Sequence, residues 1–95
     1  MNQDGGIVGS DMVNKYEQLV LEEDILIQRI ATCEECVNAI LAYILKNSQS
    51  IHLITAEDII NAVHLIGKDL QTELLHLRLE KSILAGKMEL EHRFR

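Results

Sequence analysis

The sequence has 95 residues, of which 47 % are apolar and 3 % aromatic, and it contains five glycines and no proline. This length allows one domain, and the shortage of turn-forming residues argues against a fold of many strands. The net charge of −6 is the opposite of the basic face with which nucleic-acid-binding domains neutralise phosphates. These figures predict a single all-α domain and do not favour nucleic acid as a partner.

The first predicted helix follows a polar, glycine-rich segment. We expect residues 1–9 to form a flexible N-terminal tail, and Ser10 has the side chain of a helix N-cap. Apolar residues then recur in alternating steps of three and four, which is the spacing of one helical face, and only Glu23 interrupts this row. The row predicts a helix over about 10–47. Its apolar members are Tyr16, Leu19, Leu26, Ile30, Cys33, Val37, Ile40 and Ile44.

The second predicted helix begins at Thr55, whose hydroxyl is suited to an N-cap and is followed by Glu57 and Asp58 in the first turn. A second row with the same spacing predicts a helix over about 56–91. Gly67 could break this helix, since glycine costs about 1 kcal/mol in a helix interior, but the row stays in phase across it and favours continuity. The members of the row are Ile60, Val63, Gly67, Leu70, Leu74, Leu77, Lys81, Leu84 and Met88.

The connection between the two helices is about eight residues long, which favours antiparallel packing. We therefore predict that residues 10–95 form one long helical hairpin. With the turn centred near residue 51, the sequence numbers of two residues that face each other across the hairpin add up to about 103. This register places Cys36 opposite Gly67 and Cys33 opposite Leu70.

The same register brings Glu23 close to Lys81, the charged residue that interrupts the second row. An ion pair between them could fix the register of the hairpin or its choice of partner. The alternative is that both side chains extend to solvent at the rim of the seam.

Apolar residues also lie outside the two rows, and between Cys36 and Leu45 only Asn38 is polar. A helix that is apolar on every side is buried on every side, so the hairpin should assemble into a four-helix bundle or a coiled-coil-like oligomer. The partner is a second copy in a two-fold dimer or another helical protein. A charge placed at Leu41 should disrupt this assembly. The predicted interaction surface is Val37, Ile40, Leu41, Ile44, Leu45, Ile59, Ile66 and Leu70.

Cys33 and Cys36 form a Cys-x-x-Cys pair, which can bind zinc or act as a redox couple. His64 is the candidate third ligand. The pair lies in the middle of a helix, however, and the two glutamates between the cysteines disfavour thiolates. Cysteine is also often a small buried apolar residue. Core packing is therefore favoured, no cofactor is predicted, and a metal- or thiol-dependent regulator is the alternative.

The sequence contains no glycine-rich phosphate loop, nucleophile elbow or His-Glu-x-x-His motif, so we do not expect an enzyme. The predicted function is a non-catalytic interaction or oligomerisation module, or a small subunit of a larger complex. A second alternative is a dimeric nucleic-acid-associated regulator that uses its basic C-terminus, formed by Lys87, His92, Arg93 and Arg95. Without a secretory signal or a membrane-length apolar run, we expect an intracellular protein, cytoplasmic or nuclear.

Overall fold

The protein is a rod of two antiparallel helices. The computed structural model describes the backbone of residues 3–93 and the side chains of residues 10–93. Helix α1 spans Gln3–Asn47 and helix α2 spans Leu53–Arg93. The molecule measures 73 × 16 × 15 Å, and the described residues contain no strand. The predicted all-α hairpin of two long helices is therefore confirmed.

Helix α1 begins seven residues earlier than predicted, and Ser10 lies within it and not at its N-cap. Glycines weaken a helix but do not block it, and no proline interrupts the backbone hydrogen bonds of this segment. The flexibility of residues 1–9 stays a prediction, and residues 1 and 2 lie outside the described residues. The C-terminal end at Asn47 is as predicted, and Ser50 N donates to the Asn47 carbonyl at 2.9 Å.

Helix α2 is capped by His52 and not by Thr55. The amide of Ala56 donates to the His52 carbonyl at 3.1 Å, which is the first hydrogen bond of the helix. The amide of Thr55 donates to His52 Nδ1 at 3.2 Å, and the Thr55 hydroxyl lies 2.9 Å from the same nitrogen. An amide can only donate, so Nδ1 is the unprotonated, accepting nitrogen of the ring. Thr55 is consequently the third residue of the helix.

The two helices pack along the two apolar rows. Four side chains are buried, namely Leu19, Leu26, Leu70 and Leu77, and Leu19 is only 1 % exposed. Four others pack against them and are half-buried: Ile30, Cys33, Leu74 and Leu84. All eight belong to the predicted rows. Helix α2 continues without a break through Gly67, so the prediction of one continuous second helix is confirmed.

The structure departs from the predicted register at Gly67. A Cβ atom placed on Gly67 would lie 3.6 Å from the Cβ of Cys33, so Gly67 faces Cys33, and its predicted pairing with Cys36 is wrong. Helix α2 starts at Leu53 and not at 56, so the middle of the connection lies closer to the N-terminus than predicted. Cys33 also packs against the buried cluster that contains Leu70, and the pairing of Cys33 with Leu70 stays a prediction.

Candidate interaction surface

About half of the large apolar side chains lie outside the seam between the helices. Among the described side chains sixteen are exposed and four are buried, and the others are half-buried. The pairing of α1 with α2 thus leaves much of the apolar surface uncovered. The exposed residues are Val13, Leu21, Ile25, Ile27, Leu41, Tyr43, Leu45, Leu53, Ile54, Ile59, Leu65, Ile66, Leu75, Leu79, Ile83 and Leu90.

One flank of the rod has an apolar groove near the connection between the helices. The groove has a volume of about 440 Å³, and its walls include Tyr43 from α1 and Ile59 from α2. Cys36 and Ile66 lie seven residues further from the connection on their helices, and two helical turns place them on the same flank. All four are exposed: Tyr43 by 59 %, Ile59 by 50 % and Ile66 by 54 %, and Cys36 as well. We call this side of the rod the Tyr43 flank.

The opposite side of the rod is the Leu41 flank. Glu34 of α1 and His64 of α2 line a depression there, together with Lys68. Leu41 follows Glu34 by seven residues and so lies on the same side, with 44 % of its surface exposed. The two flanks are separated by the thickness of the hairpin.

The interaction surface predicted from the sequence is therefore divided among different parts of the rod. Leu41 lies on one flank, and Ile59 and Ile66 lie on the other. Leu45 is 82 % exposed, whereas Leu70 is only 4 % exposed and belongs to the core of the hairpin. The three remaining residues are half-buried members of the seam: Val37, Ile40 and Ile44. Ile40 and Ile44 line the apolar groove together with Ile59, so three of the eight residues share one surface, and the role of the set in binding stays a prediction.

Tyr43 and Cys36 were missing from the predicted surface. The predicted register placed Cys36 in the seam opposite Gly67, and Tyr43 was not assigned. The spacing of seven residues between Cys36 and Tyr43, matched by Ile59 and Ile66 on α2, is the signal that could have identified this flank.

Glu23 lies in the seam and contacts two cations of α2. Its Oε1 is 2.5 Å from Lys81 Nζ, and its Oε2 is 2.7 Å from Arg78 Nε. The Glu23 side chain is 14 % exposed. Hydrogen bonds from Lys81 and then from Arg78 lower the pKa of Glu23, and the hydrogen bond to Glu23 raises the pKa of Lys81. Sequence reasoning found Lys81 but missed Arg78, which lies one turn before it and outside the row.

The two cysteines are free thiols in different surroundings. Cys33 is half-buried in the seam and Cys36 is exposed. His64 lines the depression on the Leu41 flank beside Cys33 and Glu34. Across residues 10–93, no group of three or more His, Cys, Asp or Glu side chains is arranged to hold a metal ion. Cys33, Cys36 and His64 are thus not brought together as a ligand set.

The described basic residues near the C-terminus do not form a purely basic patch. Arg93 Nη2 lies 3.3 Å from Glu89 Oε1, one turn earlier. Lys87 and His92 are exposed, and Arg95 lies outside the described residues. Acidic and basic side chains are therefore mixed at this end of α2.

Neither of the two described helices has an apolar stretch that meets the length and hydropathy needed to cross a bilayer. Comparisons of the chain with protein families, with curated proteins and with solved structures find no match. The physical properties of the hairpin are consequently the basis for a functional proposal.

Proposed function

We propose that this hairpin is a non-catalytic protein–protein interaction and oligomerisation module, acting alone or as a small subunit of a larger complex. The observation that carries the proposal is the number of large apolar side chains left exposed, sixteen among those described. Contiguous apolar patches of more than a few hundred Å² are uncommon on monomers and are typical of interaction sites.

The energetic argument rests on the size of this exposed surface. Fully burying one large apolar side chain contributes about 1.5–3 kcal/mol, whereas a whole domain is stable by about 5–15 kcal/mol. Tyr43, Ile59 and Ile66 are each exposed by about half, so covering these three alone contributes about 2–5 kcal/mol, a substantial fraction of the net stability of a fold. Association with further helices, as in a four-helix bundle or a coiled-coil-like oligomer, provides this cover.

The distribution of ionisable groups supports a non-catalytic role. Glu23, an ionisable side chain of the seam that is only 14 % exposed, is already satisfied by Lys81 and Arg78. These three residues hold the two helices together, and we assign to them the role of fixing the register of the hairpin. The free thiols of Cys33 and Cys36 agree with an intracellular location, in the cytoplasm or the nucleus.

The molar mass of the purified protein tests this proposal. We expect light scattering after size exclusion to give at least twice the chain mass of 10.8 kDa. We also expect the Tm, followed by circular dichroism, to rise with chain concentration, because association stabilises only the folded state. A well-folded 10.8 kDa monomer with a concentration-independent Tm would contradict self-association. If this monomer also retained no helical protein from cell extract, the interaction role would fail as a whole.

A further inference from the structure

We infer that the Tyr43 flank is the contact between two copies of this chain, packed in parallel with their connections at the same end. This inference rests on the proposed function and names its partner and geometry. It follows from the order of side chains along the flank and from the area that a stable dimer needs.

The Tyr43 flank is a ladder of five levels, each formed by one residue of α1 and one of α2, with successive levels seven residues apart. The first level is Tyr43 with Ile59, which line one groove, and the third is Arg29 with Glu73, which line one depression. From the connection outward, α1 contributes Tyr43, Cys36, Arg29, Glu22 and Lys15, and α2 contributes Ile59, Ile66, Glu73, Glu80 and Lys87. The flank is therefore apolar at two levels and charged at three.

The charged levels must lie within the contact. A stable interface buries roughly 800 Å² on each partner, which for a rod 16 Å wide requires an overlap about 50 Å long. The apolar end, from the connection to Cys36, covers only about 20 Å at 1.5 Å per residue. The whole ladder, from Tyr43 to Lys15, covers about 42 Å. A dimer on this flank must therefore use all five levels, and at about 42 Å the contact is slightly shorter than a standard interface.

Two orientations related by a two-fold axis are possible, and they differ in what each level meets. In the antiparallel orientation, Tyr43 and Ile59 face the lysine level of the second copy, and Cys36 and Ile66 face its acidic level. This buries apolar groups against charges. In the parallel orientation, α1 of one copy lies over α2 of the other. Each level then faces the same level of the second copy, so the apolar levels cover each other.

The charges of the third level also favour the parallel orientation. Arg29 then faces Glu73 of the second copy, and the two-fold axis repeats this pair. Within the described part of the chain Arg29 and Glu73 form no ion pair, and both are exposed. The acidic level and the lysine level also meet their own copies, which is unfavourable, and pairs between levels such as Lys15 Nζ with Glu80 Oε2, at 3.6 Å within one chain, offset part of this repulsion. Arg29 and Glu73 therefore select the partner and its orientation.

Charge reversal at this level gives a sharp test. Arg29→Glu makes the level entirely acidic in a homodimer, and Glu73→Arg makes it entirely basic, so each variant should dimerise on the order of 100-fold more weakly than the wild type. An equimolar mixture of the two variants restores opposite charges across the contact. We expect native mass spectrometry, which separates the two variants by mass, to find nearly all dimers as heterodimers. Without charge selection about half would be heterodimers by statistics.

The Leu41 flank provides a matched control. Glu34 and Lys68 have opposite charges on the two helices and line one depression there, so Glu34→Arg and Lys68→Glu copy the two charge changes on the other side of the rod. We expect these variants to remain dimers and to mix in the statistical ratio. Selective heterodimers from the control pair would place the contact on the Leu41 flank and overturn the inference.

A double variant covers the case in which the single variants fold poorly. A chain with both Arg29→Glu and Glu73→Arg has the reversed pair in each contact and should recover the wild-type mass and Tm. A statistical mixture of the single variants, or a double variant that stays monomeric, overturns the parallel contact but leaves the proposed function intact if the wild type is oligomeric. A monomeric wild type overturns the parallel contact together with self-association, and the proposed interaction role fails with them only if this monomer also retains no helical protein from cell extract.

A second measurement uses the apolar levels. Ile66→Glu places a charge at the second level and should convert the dimer to monomers. Leu41→Glu, at a residue of similar exposure on the other flank, should leave the mass unchanged, which departs from the expectation drawn from the sequence. The reverse result, in which only Leu41→Glu gives monomers, contradicts the assignment of the flank.

Discussion

Replacement of Gly67 by alanine measures how closely the two helices approach each other. Gly67 lies in the interior of α2, where glycine costs about 0.8–1.0 kcal/mol relative to alanine. The new Cβ would lie 3.6 Å from the Cβ of Cys33, a normal van der Waals contact that requires no movement of either backbone. We therefore expect Gly67→Ala to raise the free energy of unfolding by about 1 kcal/mol.

Gly86 is the matched control for this substitution. It lies in the same helix, and a Cβ there meets nothing within 4 Å, so Gly86→Ala should give the same gain of about 1 kcal/mol from helix propensity alone. The two sites are about 28 Å apart along α2, and their effects should add within about 0.5 kcal/mol. The gain at Gly86 thus calibrates the propensity term for Gly67.

Urea unfolding followed by helical circular dichroism is the suitable assay, at one fixed chain concentration because association adds to stability. A shift in the midpoint at constant slope reports a change in stability. If Gly86→Ala stabilises while Gly67→Ala destabilises, the helices are closer at Cys33 than described, or α2 is hinged at Gly67. Gly67→Leu overpacks the seam and should cost about 1–3 kcal/mol; a neutral result would show that the seam is open there.

Three further predictions concern the seam and its cap. Leu19→Ala should cost about 2–5 kcal/mol, whereas Leu21→Ala, at a side chain 64 % exposed, should change stability by about 0.5 kcal/mol or less; equal costs in urea unfolding would refute the placement of the core. The pKa of Glu23 is lowered in the folded state, so its contribution to stability is present above the unfolded-state pKa and is lost as the pH falls through the folded-state pKa. The pKa of Lys81 is raised in the folded state, so its contribution to stability is lost as the pH rises through the folded-state pKa. Glu23→Gln should therefore flatten the acid limb of a plot of urea midpoint against pH, and an unchanged acid limb would count against the pair. His52→Ala should cost about 0.5–2 kcal/mol and His52→Asn less, because asparagine keeps an accepting oxygen; if both variants match the wild type, His52 is not the cap.

The seam was predictable from the sequence because it depends only on periodicity. Residues such as Leu19 and Leu26 on α1, or Leu70 and Leu77 on α2, recur every seven positions, and this spacing fixes which face of each helix is buried without any knowledge of the partner. The continuity of α2 was predictable for the same reason, since the row keeps its phase across Gly67.

The start of α2 was not predictable to the residue because it depends on a single capping interaction. Thr55 has a hydroxyl and is followed by acids, which is the usual signal of a helix start. Histidine is not among the preferred N-cap residues, so nothing in the sequence favoured His52, whose Nδ1 accepts the Thr55 amide. Because His52 is the N-cap, α2 begins at Leu53 and includes the three residues up to Thr55 that the sequence placed before the helix.

The Tyr43 flank follows from the same periodicity. Cys36 and Tyr43 lie seven residues apart and outside the row of α1, and Ile59 and Ile66 do the same on α2, so all four lie beside the seam. The predicted pairing of Cys36 with Gly67 concealed this, because it treated Cys36 as a seam residue although Cys36 is not a member of the row. The structure places Gly67 against Cys33 and leaves Cys36 exposed. The surface that we assign to self-association therefore depends on the phase of the two rows around their helices, and not on the position of the connection along them.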